Sequence, residues 1–75
     1  MHDVVALLEE VRAKDFNSGR PLLLHRGQIG TVVMIYANGA CEVEFADHDG
    51  RAYAILPIGP EKLMVLRDSP DYAAA

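Results

Sequence analysis

Two tight-turn signals on either side of a short alternating segment constrain the fold of this chain more than any other feature. The first is the dipeptide Asn38-Gly39, and the second is the stretch "DHDGR", whose turn closes at Gly50. Both contain residues that tolerate positive φ, as the turns of antiparallel hairpins require. Between them, residues 41–45 alternate strictly between apolar and acidic side chains, which is typical of a half-buried strand. The sequence therefore predicts two consecutive β-hairpins that share this strand.

The register of the first hairpin depends on the length of its turn. A two-residue turn pairs Tyr36 with Cys41. A three-residue turn with a left-handed glycine instead pairs Ile35 with Cys41, and it sets Val33 opposite Val43. Both alternatives are open at this point, and we slightly favour the three-residue turn. It points three residues of the preceding strand inward: Thr31, Val33 and Ile35.

The second hairpin suits a type I turn closed by a left-handed Gly50. This register pairs Asp47 with Arg51, Phe45 with Tyr53, and Val43 with Ile55. Tyr53 and Ile55 would then join the apolar face of the shared strand. Asp47 and Arg51 would form an exposed cross-strand ion pair, which contributes at most ~1 kcal/mol.

The segment before the hairpins, residues 3–14, supports two interpretations. Its apolar residues recur at helical spacing among good helix formers, which favours a helix. Its opening "DVVAL" contains two β-branched valines and equally suits a strand. Residues 15–21, "DFNSGRP", then form the clearest loop, and the short apolar segment "LLLHRG" follows.

The segment after the hairpins contains two prolines, Pro57 and Pro60, which argue against a continuing central strand. A helical turn fits Pro60–Leu63, because proline suits the first helical position. "LMVLR" is a last short strand, and residues 68–75 form a flexible tail. Together these elements predict an all-β fold. We expect a small SH3-like five-stranded barrel over residues 1–67, with a long first loop and a short helical turn before the last strand.

Composition narrows the function classes. The chain has 75 residues, a net charge of −4 and one cysteine. An acidic domain is at a disadvantage in neutralising phosphates, which disfavours nucleic acid as a partner. The N-terminus lacks the pattern of a signal peptide, and no apolar run approaches the ~20 residues that span a bilayer. We therefore expect a cytoplasmic protein with no membrane association, and oligomerisation is a usual remedy for so small a core.

Several blocks of the sequence resemble a known family. "DVVAL" at 3–7, "RGQIGTVV" at 26–33, "CEVEFADHDGRAYAIL" at 41–56 and "KLMVL" at 62–66 resemble, in this order, the small bacterial family named domain of unknown function 4926. The resemblance implies a strand at 3–8, which overturns the helix preference for that part. A helical turn in Glu9–Lys14 stays open as an expectation from the residues. It implies no catalytic residue and no cofactor. It is also compatible with a small accessory or antitoxin-like role.

A looser resemblance links "GQIGTVV" to the KOW motif of ribosomal and transcription factors. In that motif, too, two closely spaced glycines lead into a β-branched strand. The match covers one short motif at residues 27–33, so it bears more on barrel geometry than on RNA binding. It nevertheless motivates an alternative function, a nucleic-acid or ribosome-associated module that would use Arg20, Arg26 and Arg51.

The residues that could carry catalysis or bind a metal have simpler structural explanations. Gly27 and Gly30 could cradle an anion, but a strand follows them, so a conformational need is the favoured explanation. The hairpin tip Asp47–Asp49 offers too few ligands for a zinc site and suits a turn. Cys41 lies on the apolar face of a strand, where thiols usually pack inertly. We therefore expect no catalytic residues, no metal and no cofactor, and hence no enzyme.

Two groups of residues are candidates for binding a partner. The first is the basic and leucine-rich stretch before the first hairpin: Arg20, Leu22, Leu23, Leu24, His25 and Arg26. Three consecutive leucines cannot all enter a small core, and exposed apolar side chains mark interfaces. The second group is Glu42 and Glu44, an outward acidic stripe that could match a basic partner. The sequence thus predicts a non-enzymatic protein-protein interaction module, which binds a protein of unknown identity and could also bind copies of itself.

Overall fold

The structure, a computed structural model, describes residues 2–74. Its fold is all-β, as predicted, with one 3₁₀ turn at Pro60–Lys62. The described chain contains seven strands: β1 (Val4–Leu7), β2 (Val11–Lys14), β3 (Pro21–Leu24), β4 (Ile29–Ile35), β5 (Cys41–Ala46), β6 (Ala52–Ile58) and β7 (Leu63–Val65). Five of them form one antiparallel sheet in the order β6-β5-β4-β1-β7, and β2 pairs with β3 in a separate hairpin. Because β6 and β7 lie at opposite edges, this sheet is not closed into a barrel.

The segment with two interpretations contains two strands and no helix. The strand at 3–8 is confirmed as β1, but the helical turn in Glu9–Lys14 is wrong, because that segment contains β2. Val11 pairs with Leu24, and Ala13 pairs with Leu22. Val11 and Ala13 pack against the core together with Leu22. These non-local contacts override the helix propensity of the local sequence.

The first hairpin has the favoured three-residue turn. Gly39 is left-handed at φ 90°, the Tyr36 N–H donates to the Ala40 carbonyl at 2.8 Å, and Ile35 pairs with Cys41. A bulge at Val33 then shifts the register, so that Val32 rather than Val33 lies opposite Val43. The predicted inward set Thr31, Val33 and Ile35 is therefore wrong. Val32 is the buried residue, and Ile35 is 59% exposed.

Gly30 allows β5 side chains to approach the β4 backbone closely before this bulge. A Cβ built on Gly30 would lie 2.6 Å from Val43 Cγ1 and 2.9 Å from Phe45 Cε1. The absence of a side chain thus lets two β5 side chains pack directly on the β4 backbone. Gly27 has a different role, because it adopts φ 89° and donates its N–H to the Leu7 carbonyl at 2.6 Å. Both glycines thus serve the conformation, as expected.

The second hairpin closes as predicted at a left-handed Gly50, with φ 82°. A bulge between Phe45 and Ala46 then pairs Phe45 with Ala54 and Val43 with Leu56. The predicted partners Tyr53 and Ile55 were therefore wrong by one residue, and Ile55 is 44% exposed.

The predicted ion pair between Asp47 and Arg51 is also wrong. The Asp47 carboxylate instead accepts the backbone N–H groups of Asp49 at 2.9 Å and Arg51 at 3.0 Å. The acid thus stabilises the turn through the backbone, as aspartate commonly does.

The core lies on one face of the five-stranded sheet, which we call the inner face, beneath the β2–β3 hairpin. Its fully enclosed side chains include Leu7, Val43 and Phe45 from the sheet and Leu24 from the hairpin. β6 continues through Pro57 but is an edge strand rather than a central one, in agreement with the prediction, because proline needs no ladder hydrogen bond on the open side. Within residues 2–74, no helix has the length and hydropathy required to cross a membrane.

Candidate protein-binding surface

The opposite side of the sheet, the outer face, carries an exposed apolar cluster on β4, β1 and β7. Because Val5 and Leu7 are enclosed on the inner face, the alternate residues of β1 point outward. Ala6 lies between Ile29 on β4 and Met64 on β7. We call the cluster the outer patch; it consists of Val4, Ala6, Ile29, Met64 and Leu66.

The outer patch is exposed despite its apolar character. Val4 is 45% exposed, Ile29 56%, Met64 49% and Leu66 37%, so only the small Ala6 is buried. An antiparallel sheet with one solvated face normally alternates apolar and polar residues, as β5 does. β1 and β7, with the sequences "VVAL" and "LMV", have apolar residues at both alternations. Since contiguous exposed apolar side chains mark interaction sites, the patch is a candidate protein-binding surface.

An acidic stripe borders the outer patch on β5. Glu44 pairs with Thr31 on β4 and with Ile55 on β6, while Glu42 pairs with Met34 and the edge proline Pro57. Both glutamates are half-buried rather than fully solvated. Apart from Thr31, the neighbours of the stripe on both adjacent strands are apolar, so the acidic groups of this part of the outer face lie among exposed apolar side chains.

Tyr36 orients one carboxylate of this stripe. Its hydroxyl donates to Glu42 Oε1 at 2.8 Å. This hydrogen bond, followed by partial desolvation and the negative charge of Glu42, raises the pKa of Tyr36 above its ordinary value of 10.0. Glu42 is therefore held in place at the end of the stripe, whereas no side-chain hydrogen bond within residues 2–74 holds Glu44.

The three predicted leucines have three different environments. Leu24 is 1% exposed and belongs to the core, and Leu22 packs partly buried against it. Only Leu23 remains exposed, at 47%. The expectation that the three would not all enter the core is therefore confirmed, but a leucine cluster on the surface does not exist.

The predicted basic residues are exposed and spread over both ends of the β2–β3 hairpin. Arg20 precedes β3 in the turn of the hairpin, whereas His25 and Arg26 follow β3. His25 Nδ1 lies 3.3 Å from Glu10 Oε2. Arg26 lines a shallow cavity of about 330 Å³ together with residues of β1 and with Met64. Of this group, only Arg26 borders the outer patch, so the structure does not unite the basic stretch with the acidic stripe.

Comparison with known proteins places the chain in a family. The family model described as a domain of unknown function, DUF4926, matches residues 1–65. The chain belongs to the DUF4926 family. No curated protein and no solved structure matches it significantly. The DUF4926 match covers the whole five-stranded sheet, and hence both the outer patch and the acidic stripe, apart from Leu66.

Other chemistry-bearing groups of this DUF4926 chain are dispersed. In the part of the chain that the structure describes, no three His, Cys, Asp or Glu side chains are arranged to hold a metal ion. Cys41 is half-buried, and its Sγ lies 3.9 Å from the Gly39 carbonyl. His48 is near Asp49 at an exposed hairpin tip, with 3.7 Å between His48 Nε2 and Asp49 Oδ1.

The outer patch was missed by reasoning from the sequence. The patterns "VVAL" and "LMVL" were interpreted only as short strands, because a short apolar run does not tell which residues face outward. The missed signal was that both runs are apolar at every position in a chain too small to cover both faces of its sheet.

Proposed function

We propose that this protein is a protein-binding module whose outer face docks a partner segment with apolar side chains flanked by basic ones. The observation that carries the proposal is that the exposed outer patch and the half-buried acidic stripe share one sheet face, where only Thr31 separates Val4 of the patch from Glu44 of the stripe. A module of this kind suits an accessory or antitoxin-like role, and it needs no catalytic group.

The outer patch would supply most of the affinity. Complete burial of one large apolar side chain contributes about 1.5–3 kcal/mol relative to exposure. Three side chains of the patch, Val4, Ile29 and Met64, are about half exposed, so a partner that covers them would gain part of this amount at each position. The rigid pairing of β4, β1 and β7 holds these side chains in place before binding, which lowers the entropic cost of association.

The acidic stripe would supply selectivity. Glu42 and Glu44 stand in a protein of net charge −4, so they favour a partner with basic residues beside its apolar ones. Charge complementarity of this kind accelerates encounter and suppresses wrong partners more than it adds affinity. The cytoplasm is the proposed compartment, since a single cysteine gives no evidence for an oxidising one.

The alternative nucleic-acid module would rest on three exposed arginines. The turns that contain Arg20 and Arg51 are adjacent, because Asn17 Nδ2 donates to the Ala52 carbonyl at 3.4 Å. Arg26 follows β3, at the other end of the hairpin. The separation and the net negative charge make this surface a weaker candidate, and RNA binding is treated as an outcome of the test.

The test compares two outer-face variants with two matched controls. Ile29→Ser removes an apolar side chain from the patch, and Leu23→Ser removes a similarly exposed one from the hairpin. Glu44→Lys reverses one of the two charges of the acidic stripe, and Asp71→Lys makes the same charge change in the exposed tail. Each variant is used to capture proteins from the native host. The captured partner is then purified and titrated by calorimetry at low and high salt.

We expect Ile29→Ser and Glu44→Lys each to weaken the partner about tenfold or more, with both controls within about twofold of the wild type. Salt should weaken the wild type and leave Glu44→Lys less affected. The proposal fails if the controls weaken binding as much as the outer-face variants do. It also fails if the ligand is an RNA whose steeply salt-dependent affinity is lost in Arg20→Ala and Arg51→Ala.

A further inference from the structure

The two edges of the five-stranded sheet are treated differently by the chain. At the β6 edge, the Tyr53 carbonyl accepts the Phe16 N–H at 3.0 Å, and the Ala52 carbonyl accepts Asn17 Nδ2. Pro57 further along β6 has no N–H to offer. The β2–β3 turn and the proline thus protect this edge against pairing with another strand.

The β7 edge has unpaired backbone groups. On the side of β7 that faces β1, the Lys62 carbonyl accepts the Leu8 N–H at 2.8 Å, and the Leu66 N–H donates to the Val4 carbonyl at 2.9 Å. Since alternate residues point to alternate sides, the N–H and carbonyl of Val65 and the carbonyl of Leu63 point away from β1. The Leu63 N–H is already bound to the Pro60 carbonyl. Three groups are therefore left for a strand from outside.

We propose that the β7 edges of two copies of this chain pair antiparallel about a two-fold axis at Val65, which joins the two sheets into one. Each Val65 N–H then donates to the Val65 carbonyl of the other copy. Each Arg67 N–H donates to the Leu63 carbonyl of the other copy, if the strand extends by two residues. An isologous dimer of this kind is the commonest symmetric assembly.

The unpaired backbone groups select this register. With Val65 on the axis, the two Val65 residues exchange two hydrogen bonds, and two more form when β7 extends to Arg67; the occupied Leu63 N–H is not required for any of the four. A register with Met64 on the axis would pair Leu63 with Val65 of the second copy. Because the Leu63 N–H is occupied, only two hydrogen bonds would form there.

Side chains support a second copy as the occupant. In the proposed register, Lys62, the last residue of the 3₁₀ turn, lies opposite Asp68 of the second copy, and the two-fold axis repeats this pair of opposite charges. Lys62 Nζ also lies 3.4 Å from Glu9 Oε1 of its own copy, so Asp68 would join an existing ion pair. Met64 lies opposite Leu66 of the second copy, so two exposed apolar side chains of the outer patch cover each other. Opposite-charge and apolar pairs directly across an antiparallel ladder are both stabilising. The edge is thus complementary to itself in backbone groups, charge and hydrophobicity.

The first test is the oligomeric state, measured by light scattering at micromolar concentration. We expect a dimer for the wild type and a monomer for Val65→Pro. Proline at 65 removes an N–H that points away from β1, so the sheet of each copy keeps its own hydrogen bonds. In the wild type, hydrogen exchange of the Val65 and Arg67 amides should slow as protein concentration rises, whereas that of the Met64 amide should not.

A charge exchange provides a test that does not depend on proline. Asp68→Lys and Lys62→Asp should each raise the dimer dissociation constant, and the double exchange should restore it. A wild type that is monomeric at micromolar concentration would overturn the proposal. So would a dimer that persists in Val65→Pro, or single charge variants that the double exchange does not rescue. Binding of the partner at the outer face is measured separately with Ile29→Ser, so the failure of one proposal is distinguishable from the failure of the other.

Discussion

The inner and outer faces of the five-stranded sheet are formed by the same strands but differ in the burial and chemistry of their side chains. On β5 the two faces are chemically distinct, since Val43 and Phe45 are fully buried and Glu42 and Glu44 point outward. On β1 both faces are apolar, and Val4 is 45% exposed while Val5 is 1% exposed. The fully buried side chains are thus concentrated on the inner face, whereas the large apolar side chains of the outer patch remain exposed.

The largest expected effect is on the inner face. Phe45→Ala removes a side chain with no exposed surface and should lower the free energy of unfolding by about 3–5 kcal/mol, through lost burial and a cavity. In so small a domain this change should leave little folded protein. Denaturant unfolding followed by circular dichroism measures it. Ile29→Ser on the outer face is the control and should change the unfolding free energy by less than about 1 kcal/mol. Equal losses of unfolding free energy in the two variants would contradict the expectation that stability is concentrated on the inner face.

The next effect tests the close approach of β4 and β5. Gly30→Ala places a Cβ against Val43 and Phe45 and should cost about 1–3 kcal/mol of unfolding free energy through overpacking. Thr31→Ala, the neighbouring change on the opposite side of β4, is the control, and we expect it to cost less. Chemical denaturation again measures the difference. A Gly30→Ala protein as stable as the wild type would show that the two strands separate readily.

The smallest effect lies on the outer face and depends on pH. Since the folded-state pKa of Tyr36 is raised above 10.0, the hydrogen bond to Glu42 stabilises the fold fully below pH 10.0. This contribution is lost as pH rises through the folded-state pKa. An NMR titration of the Tyr36 ring should therefore show a pKa above 10.0, and Glu42→Gln should bring it back towards that value. An unchanged titration in Glu42→Gln would show that the carboxylate does not hold the phenolic proton.

Sequence patterns predicted the parts of the fold that local chemistry determines. Gly39 and Gly50 specified two turns, because only a residue that tolerates positive φ can close them. The bulge at Val33 could not be predicted in the same way, because no turn residue marks it and it is a property of the pairing between β4 and β5. β2 was missed for a similar reason, since its stability comes from contacts with the core that no local pattern records.

The candidate site was predicted only in its acidic half. Glu42 and Glu44 were visible because β5 alternates, and the structure places both on the outer face. The exposure of the leucines at 22–24 was overestimated, because the β2–β3 hairpin brings Leu24 into the core and leaves only Leu23 largely exposed. The outer patch stayed hidden, because a run of apolar residues has no period from which its exposed members can be identified.

The position of β1 between β4 and β7 also has a consequence for the order in which the chain folds. The strands β4, β5 and β6 are joined by tight turns and pair with their neighbours in sequence, so their contacts close short loops. β1 is separated from β4 by more than twenty residues, so their pairing closes a longer loop. The other edge of β1 can pair only after β7, which begins after residue 62, has been synthesised. During synthesis on the ribosome, the first strand of this sheet is therefore among the last to be paired on both edges.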